Sequence, residues 1–490
     1  MNQIIDYHAI LPELILSGTI LLVLVVDVFL PAKRKSWSMF IGLIGSAAAL
    51  VATFTLIGEG RTTFSGAYVV DNFAILFKIF FLSVAILVLG ISYRYFREGG
   101  FYQGEYYFLL LTSFLGCIMM PSSRDMLLLF IALELVSAPG FLMAAFRKND
   151  PKSNEAGLKF FLIGVLSTAV MLYGMSLIYG LTGATRLDAI AQGLSNIDAA
   201  KETLAFCAIL FVVIGFAFKV SAVPFQFWAP DTYEGAPVPV AGFLAVASAA
   251  AGFAGLLQLM FVAFVGQSTF WAPIFAVLSV LTMTLGNLVA LRQRQTIRLL
   301  AYSGIAQSGY ILLPFALVSA NASVNQTAFE AAVVYILIYA VMNIGAFAVA
   351  TAVAERRPNL QIEDFSGLAQ TAPLLAVAMT AFMVSLAGVP PTGGFWGKVL
   401  IFRAAIDFGG WIGPLLASIM VINSVISVGY YFLIPRAMIF EDPAEGETRL
   451  ATPALLTFVV GISLAAIGVI FIVPNVIFRL GELSSLAFGS

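Results

Sequence analysis

The chain has 490 residues, 61% of them hydrophobic and only 10% charged, with a formal net charge of -1. Soluble domains carry about 25% charged residues, so a large water-soluble core is excluded, and so small a net charge leaves no basic surface for nucleic acid. Cys117 and Cys207 sit apart in apolar runs and His8 is the single histidine, which excludes a cysteine-held iron–sulfur cluster, a thiol–disulfide site, bis-histidine haem and a histidine-rich metal centre.

The first apolar run, about residues 10–30, has Asp6 and Glu13 at its start and Lys33, Arg34 and Lys35 after it. A secretory leader has the opposite charge order, so this run is predicted to be a retained first transmembrane helix. Continuing along the chain, breaks at charges, glycines and prolines leave fourteen candidate spans, each near the roughly 20 residues that cross a bilayer as a helix. No G-x-G-x-x-G follows a strand pattern and no P-loop occurs, so nucleotides and redox cofactors are expected in other chains.

Loop lysines and arginines set the orientation. With the N-terminus outside, fifteen fall in cytoplasmic loops, among them Arg94, Arg97, Arg147, Lys148, Arg292, Arg294, Arg298, Arg356, Arg357, Arg436 and Arg449. Six fall outside: Arg61, Arg124, Arg186, Lys201, Arg403 and Arg479. Both termini are therefore predicted outside. The longest polar connection, about 182–202, is too short for a domain, and the acidic stretch 440–448 reads as a solvated loop.

Four titratable residues lie within the apolar runs of the central region. Glu134 stands in LLLFIALELVSAPGFLM, Lys219 in VVIGFAFKVSAVPFQFW and Lys398 in VPPTGGFWGKVLIF, while Lys159, in EAGLKFFLIG, is nearer a span end, where a lysine can snorkel. A charge at mid-membrane costs at least about 2.5–3.5 kcal/mol on insertion scales. A structural ion pair is the plainer explanation, but the surroundings argue against it. Lys219 precedes Pro224, and Lys398 follows Pro390, Pro391 and three glycines. Proline breaks a helix, and broken backbone at membrane depth persists only inside protein or beside water. Each lysine therefore marks a polar cavity. A desolvated lysine gives up its proton more readily than a solvated one and a nearby carboxylate reverses this, so movement of Glu134 relative to Lys219 is a means of loading and unloading a proton.

The broken spans are the seventh and the twelfth. Because they are an odd number apart, a repeating five-helix unit must return inverted, as in many transporters. The predicted fold is an all-α polytopic membrane protein of about fourteen helices with two inverted five-helix repeats. Its parts are three N-terminal helices (1–100), a first repeat (101–265), a second repeat (266–440) and a last helix (441–490).

The stretch KVSAVPFQFWAPDTYEGAPVPV, from Lys219, resembles the signature of the antiporter-like membrane subunits of proton-pumping NADH:quinone oxidoreductase (complex I) and of Mrp cation/proton antiporters. RLLAYSGIAQSGYILL and SLAGVPPTGGFWGK match two further motifs of that family, and the resemblance covers about residues 100–440. Lys398 stands where M-type members have glutamate, Gln307 stands where L- and M-type members tend to have histidine, and the long C-terminal extension of L-type members does not follow Ser490. The chain thus looks like the N type.

That resemblance implies a proton-translocating subunit driven by quinone reduction in its partners. Glu134 and Lys219 are then the charge-modulated pair, Lys159 links to it, and Lys398 is the terminal exchange site. NADH, FMN, iron–sulfur clusters and quinone belong to partner chains, with no cofactor or metal here. The implied partners are an M-type antiporter-like subunit and the small K-, J- and A-type subunits, in a bacterial inner membrane with periplasmic termini. This sequence departs from the family pattern at Ala249, where many relatives hold lysine or histidine, and at Gln226, where relatives often hold histidine. No titratable residue near Ala249 replaces the missing relay group. Ser248, Ser303, Gln307, Tyr339 and Asn343 are the candidates to line a chain of water instead, since each buried water needs about two to four polar partners. The competing readings are a subunit of an Mrp-type antiporter and a structural membrane scaffold.

Overall fold

The computed structural model describes residues 5–31, 34–99, 103–319, 321–446, 448–450 and 452–484. Lys33 and Ser490, named above for the loop charges and the chain end, and residue 447 of the acidic stretch lie outside them.

Among the described residues, thirteen helices are long and apolar enough to cross a membrane. The first six are Leu11–Phe29, Trp37–Phe54, Asn72–Glu98, Gly104–Ser122, Met126–Ala144 and Pro151–Thr182. Local chemistry sets several of their starts. Asp71, Asp125 and Asp150 each accept backbone N–H groups just inside the helix that follows, capping spans three, five and six. The seventh span has a long half, Ala199–Lys219, and a short one, Trp228–Gly235. Spans eight to eleven are Val238–Ala263, Val265–Ala290, Thr296–Leu317 and Ala322–Ala354.

The twelfth expected span is two helices, Pro373–Ala387 and Gly393–Phe408, of 15 and 16 residues. At 1.5 Å per residue each reaches only about 22–24 Å, short of the ~30 Å hydrocarbon core, so the two make one crossing with a break inside it. Ile412–Phe440 and Ala454–Ile472 complete the set, which makes fourteen crossings. The eighth span contains π-helical turns at Leu244–Ser248 and Leu259–Ala263.

Packing repeats between the halves. Span four lies along span five, and span six packs against both halves of span seven. In the second repeat span nine lies along span ten, and span eleven packs against both halves of span twelve. The repeats dock where span eight meets span eleven and where the short half of span seven meets span ten. Spans eight, ten and eleven are almost wholly buried, whereas spans one, six, thirteen and fourteen bury only about a third of their apolar window and form the outer surface.

Loop contacts reproduce the predicted alternation. On one face, a two-stranded hairpin (β1, Arg61–Thr63, paired with β2, Tyr68–Val70) bridges through Tyr68 to Ser123, and Asp125 bridges to Arg186. A short helix, Leu187–Ser195, occupies the longest polar connection and packs on the turn between spans eight and nine. On the opposite face, Gln295 bridges to Gln361, Arg94 pairs with Glu355 at 3.3 Å, and Arg356 donates to the carbonyls of Thr448 and Arg449. The arginine-rich loops therefore share one face. Spans one and three are joined by an ion pair, Lys78 Nζ to Glu13 Oε1 at 3.0 Å, with Lys78 also donating to Tyr68 Oη at 2.9 Å.

Candidate functional site

Lys219 is the last residue of the long half of span seven, where the chain leaves the helix through Ser221, whose φ is 57°. The backbone groups freed at this break have partners of their own. The carbonyl of Phe218 accepts from Trp228 Nε1 at 3.1 Å, and the N–H of Val223 donates to Thr282 Oγ1 at 3.0 Å. Trp228 in turn stacks on Phe160, with centroids 4.2 Å apart. Lys219 is 3% exposed, and its Nζ donates to Ser137 Oγ at 2.8 Å.

Glu134 and Lys219, expected to pair, are not within ion-pair distance among the described residues. Glu134 accepts from Thr168 Oγ1 at 2.9 Å, and it is half-buried. The two groups are nevertheless neighbours through one helix, because Ser137 lies three residues beyond Glu134 and so on the same side of span five. The Ser137 hydroxyl, and not the Glu134 carboxylate, receives the ammonium group.

Lys398 lies in the first turns of the second half of span twelve. The break there leaves two adjacent carbonyls, and both are used: Ala387 O accepts from Lys398 Nζ at 2.9 Å and Leu386 O from Gln307 Nε2 at 3.0 Å. Lys398 is 6% exposed, its Nζ stands 4.6 Å from the centroid of the Tyr310 ring, and it lines a cavity of about 320 Å³ together with Pro390 and Ser424. An ammonium over a tyrosine face beside a free carbonyl is stabilised without a counter-ion.

Of the proposed water-chain residues, Gln307 and Ser303 join one hydrogen-bonded network beside Lys398, and Asn343 and Tyr339 form a pair of their own. Gln307 accepts from Tyr335 Oη at 2.5 Å and donates to Tyr431 Oη at 3.0 Å, and Ser303 shares a 2.5 Å hydrogen bond with the same tyrosine. Asn343 Nδ2 donates to Tyr339 Oη at 2.7 Å, and its buried Oδ1 has no hydrogen-bond partner among the described residues. Tyr339 Oη lies beside Gly304, next to Ser303. Ser248 is buried in the first π-helical turn of span eight. No hydrogen bond among the described residues links the Lys219–Ser137 pair to the Asn343–Tyr339 pair. Span eight meets Lys219 through a glycine instead: a Cβ at Gly252 would come within 2.8 Å of Lys219 Cγ. Gly252 is three residues past Ala249, so the span offers the lysine stem a smooth wall where a relay side chain was sought.

Lys159 belongs to a different group. It is 42% exposed and pairs at 2.7 Å with both Glu155 and Asp231, at the arginine-rich face. Arg298, from span ten, binds Asp231 at 2.7 Å and Glu234 at 2.8 Å. These residues surround a small cleft of about 180 Å³. Asp231 thus ties the short half of span seven to spans six and ten at once. Ser137, Tyr310, Asp231 and Arg298 went unnoticed as site residues in the sequence. Asp231 and Arg298 do stand inside the quoted motifs, which was the one available signal. Tyr310 stands inside RLLAYSGIAQSGYILL as well, whereas Ser137 carries no such signal, since hydroxyls inside apolar helices are common.

Comparison with known proteins agrees with this arrangement. Residues 123–427 match the family model described as "NADH:quinone oxidoreductase/Mrp antiporter, TM". The chain is 42% identical over 484 residues, covering 98% of it and 97% of the relative, to a protein of Trichlorobacter lovleyi named NADH-quinone oxidoreductase subunit N. It superposes on a chain of respiratory complex I from Thermus thermophilus with a TM-score of 0.79 at 30% identity, covering 96% of this chain and 98% of that one. A chain of the Mrp complex from Dietzia sp. matches with a TM-score of 0.82 at 21% identity, covering 98% and 97%, a likeness of fold alone. Two broken spans with a buried lysine at each, on inverted repeats, and a close relative along the whole length place this chain in the NADH:quinone oxidoreductase/Mrp antiporter membrane-subunit family.

Proposed function

We propose that this chain is the N-type proton-translocating membrane subunit of a bacterial NADH:quinone oxidoreductase. The observation that carries the reading is the pair of buried lysines, Lys219 and Lys398, each at a helix break and each hydrogen-bonded to an uncharged oxygen. A lysine held by a neutral partner in apolar surroundings is poised between its two protonation states, whereas one held by a carboxylate stays charged. The relative from Trichlorobacter lovleyi, matched along nearly the whole chain, favours the quinone oxidoreductase branch over the Mrp branch.

In this reading a proton enters at the arginine-rich face, which is cytoplasmic, and loads Lys219. Glu134, one turn from Ser137, sets how tightly Lys219 holds it. The proton then crosses between the repeats and reaches Lys398 by way of ordered water beside Asn343, Tyr339, Ser303 and Gln307. Residues 1–100 and 441–490 frame the two repeats at 101–265 and 266–440. An M-type subunit and the small K-, J- and A-type subunits are its neighbours, and NADH, FMN, iron–sulfur clusters and quinone are held by partner chains.

The test is proton uptake per quinone reduced, in proteoliposomes containing the whole complex. Lys219→Ala is expected to lose most of this chain's share of pumping while the complex still assembles. Lys219→Arg is expected to fail similarly, because arginine does not deprotonate. Normal pumping by the arginine variant would overturn the reading.

A further inference from the structure

At the arginine-rich face, between the end of span nine and the end of span thirteen, lies a cleft of about 560 Å³ lined by Arg292, Arg294, Arg436, Glu363, Glu441 and Leu433, among others. Its charges do not cancel locally. Glu363 is paired with Arg294 at 3.7 Å, and Glu441 accepts from Ser366 Oγ at 2.6 Å. Arg292 and Arg436 have no hydrogen-bond or ion-pair partner for their guanidinium groups among the described residues. Two free planar cations facing one cleft are the arrangement that receives a phosphate, because guanidinium matches its oxygens two at a time.

The surface beside the cleft points to the rest of the ligand. Ile439 and Phe440 stand three and four residues beyond Arg436 on one helix and so share its side, while Leu288 and Leu291 flank the end of the span-nine helix just before Arg292. These are exposed, Phe440 by 82%. A soluble anion would use only the arginines, and an acidic protein segment would leave the apolar chains uncovered. Basic pockets between helices at the membrane boundary bind anionic head groups.

We propose that this cleft is a binding site for the head group of an anionic phospholipid, whose acyl chains lie along spans nine and thirteen. The phosphodiester sits between Arg292 and Arg436, with Arg294 closing one side. The cleft shares no lining residue with the cavity at Lys398 and makes no use of the lysine centres.

The experiment measures retained lipid by native mass spectrometry on the whole complex, from membranes containing phosphatidylglycerol in phosphatidylcholine. Arg292→Gln with Arg436→Gln is expected to weaken retention of one phosphatidylglycerol roughly 30-fold, at about fivefold per arginine, with phosphatidylcholine unaffected. A photoactivatable phosphatidylglycerol, which needs no variant, is expected to label Leu433–Phe440 in the unaltered complex, and inorganic phosphate is expected not to prevent it. Unchanged retention in the double variant overturns the proposal. So does full competition by inorganic phosphate, which would make this a site for soluble anions. Cross-linking of Arg436→Cys to a neighbouring subunit, with no lipid label, would make it a protein interface and overturn the proposal equally.

Discussion

Ser137 is the side chain that most directly governs Lys219. It is the lysine's hydrogen-bond partner at 2.8 Å, and it also donates to Leu133 O at 2.7 Å, so its oxygen is held in one orientation. Hydrogen bonds to charged groups contribute about 1.5–3 kcal/mol, so Ser137→Ala is expected to reduce pumping while leaving quinone reduction and assembly in place. Ser137→Thr is expected to recover much of the loss, and a null effect of the alanine variant on pumping would remove Ser137 from the site. Gly388 plays a matching part for Lys398. Its φ is 81°, and a Cβ there would stand 2.6 Å from Lys398 Cδ. Gly388→Ala therefore meets a left-handed backbone cost of about 1–2 kcal/mol and a collision with the lysine stem. Pumping per quinone reduced is expected to fall even in complex that assembles. Both lysines were legible in the sequence, because a charge inside an apolar run needs a reason. Their partners were not: a serine, a carbonyl and a tyrosine face become partners only when helices meet.

At the scale of the helices, the breaks were legible from proline and glycine beside lysine, and their capping was not. The short half of span seven is held by Asp231, which receives Lys159 from span six and Arg298 from span ten. Asp231→Asn leaves two cations facing a weaker acceptor and frees the short half, so reduced pumping at unchanged quinone reduction is expected. Asp231→Arg combined with Arg298→Asp restores one of the two pairs and is expected to regain part of it. If the double variant is no better than either single change, the clamp between repeats is not what matters. Lys159 was read from the sequence as a residue near a span end, and that is where it lies. Its ion pairs reach Glu155 and Asp231 and not Lys219, so the proposed link to Lys219 runs through the helix half that Asp231 anchors. The π-helical turns of span eight left no sign in the sequence, because a π turn reflects how a helix fits its neighbours more than which residues compose it.

For the molecule as a whole, the loops fall into two groups that touch among themselves, the arginine-rich group on one face and the hairpin group on the other. With the arginine-rich face in the cytoplasm, a single cysteine placed at Arg294 is expected to react only with reagents that reach the cytoplasm, and one placed at Arg61 only with reagents outside. Labelling of Arg294→Cys from outside intact cells would reverse the orientation.

Hydrophobic run length and the side on which lysine and arginine gather are local properties of a chain in a bilayer, which is why the crossings, their alternation and the two broken spans could be derived from the amino-acid sequence alone. Which groups meet at the end of a buried lysine is decided by tertiary packing. It put Ser137 rather than Glu134 against Lys219, set a glycine wall at span eight and joined Gln307 to the carbonyl next to the one that holds Lys398. The physical reason is reach: a membrane helix satisfies its own backbone, so its polar side chains and freed carbonyls find partners across helices, at separations no single span records.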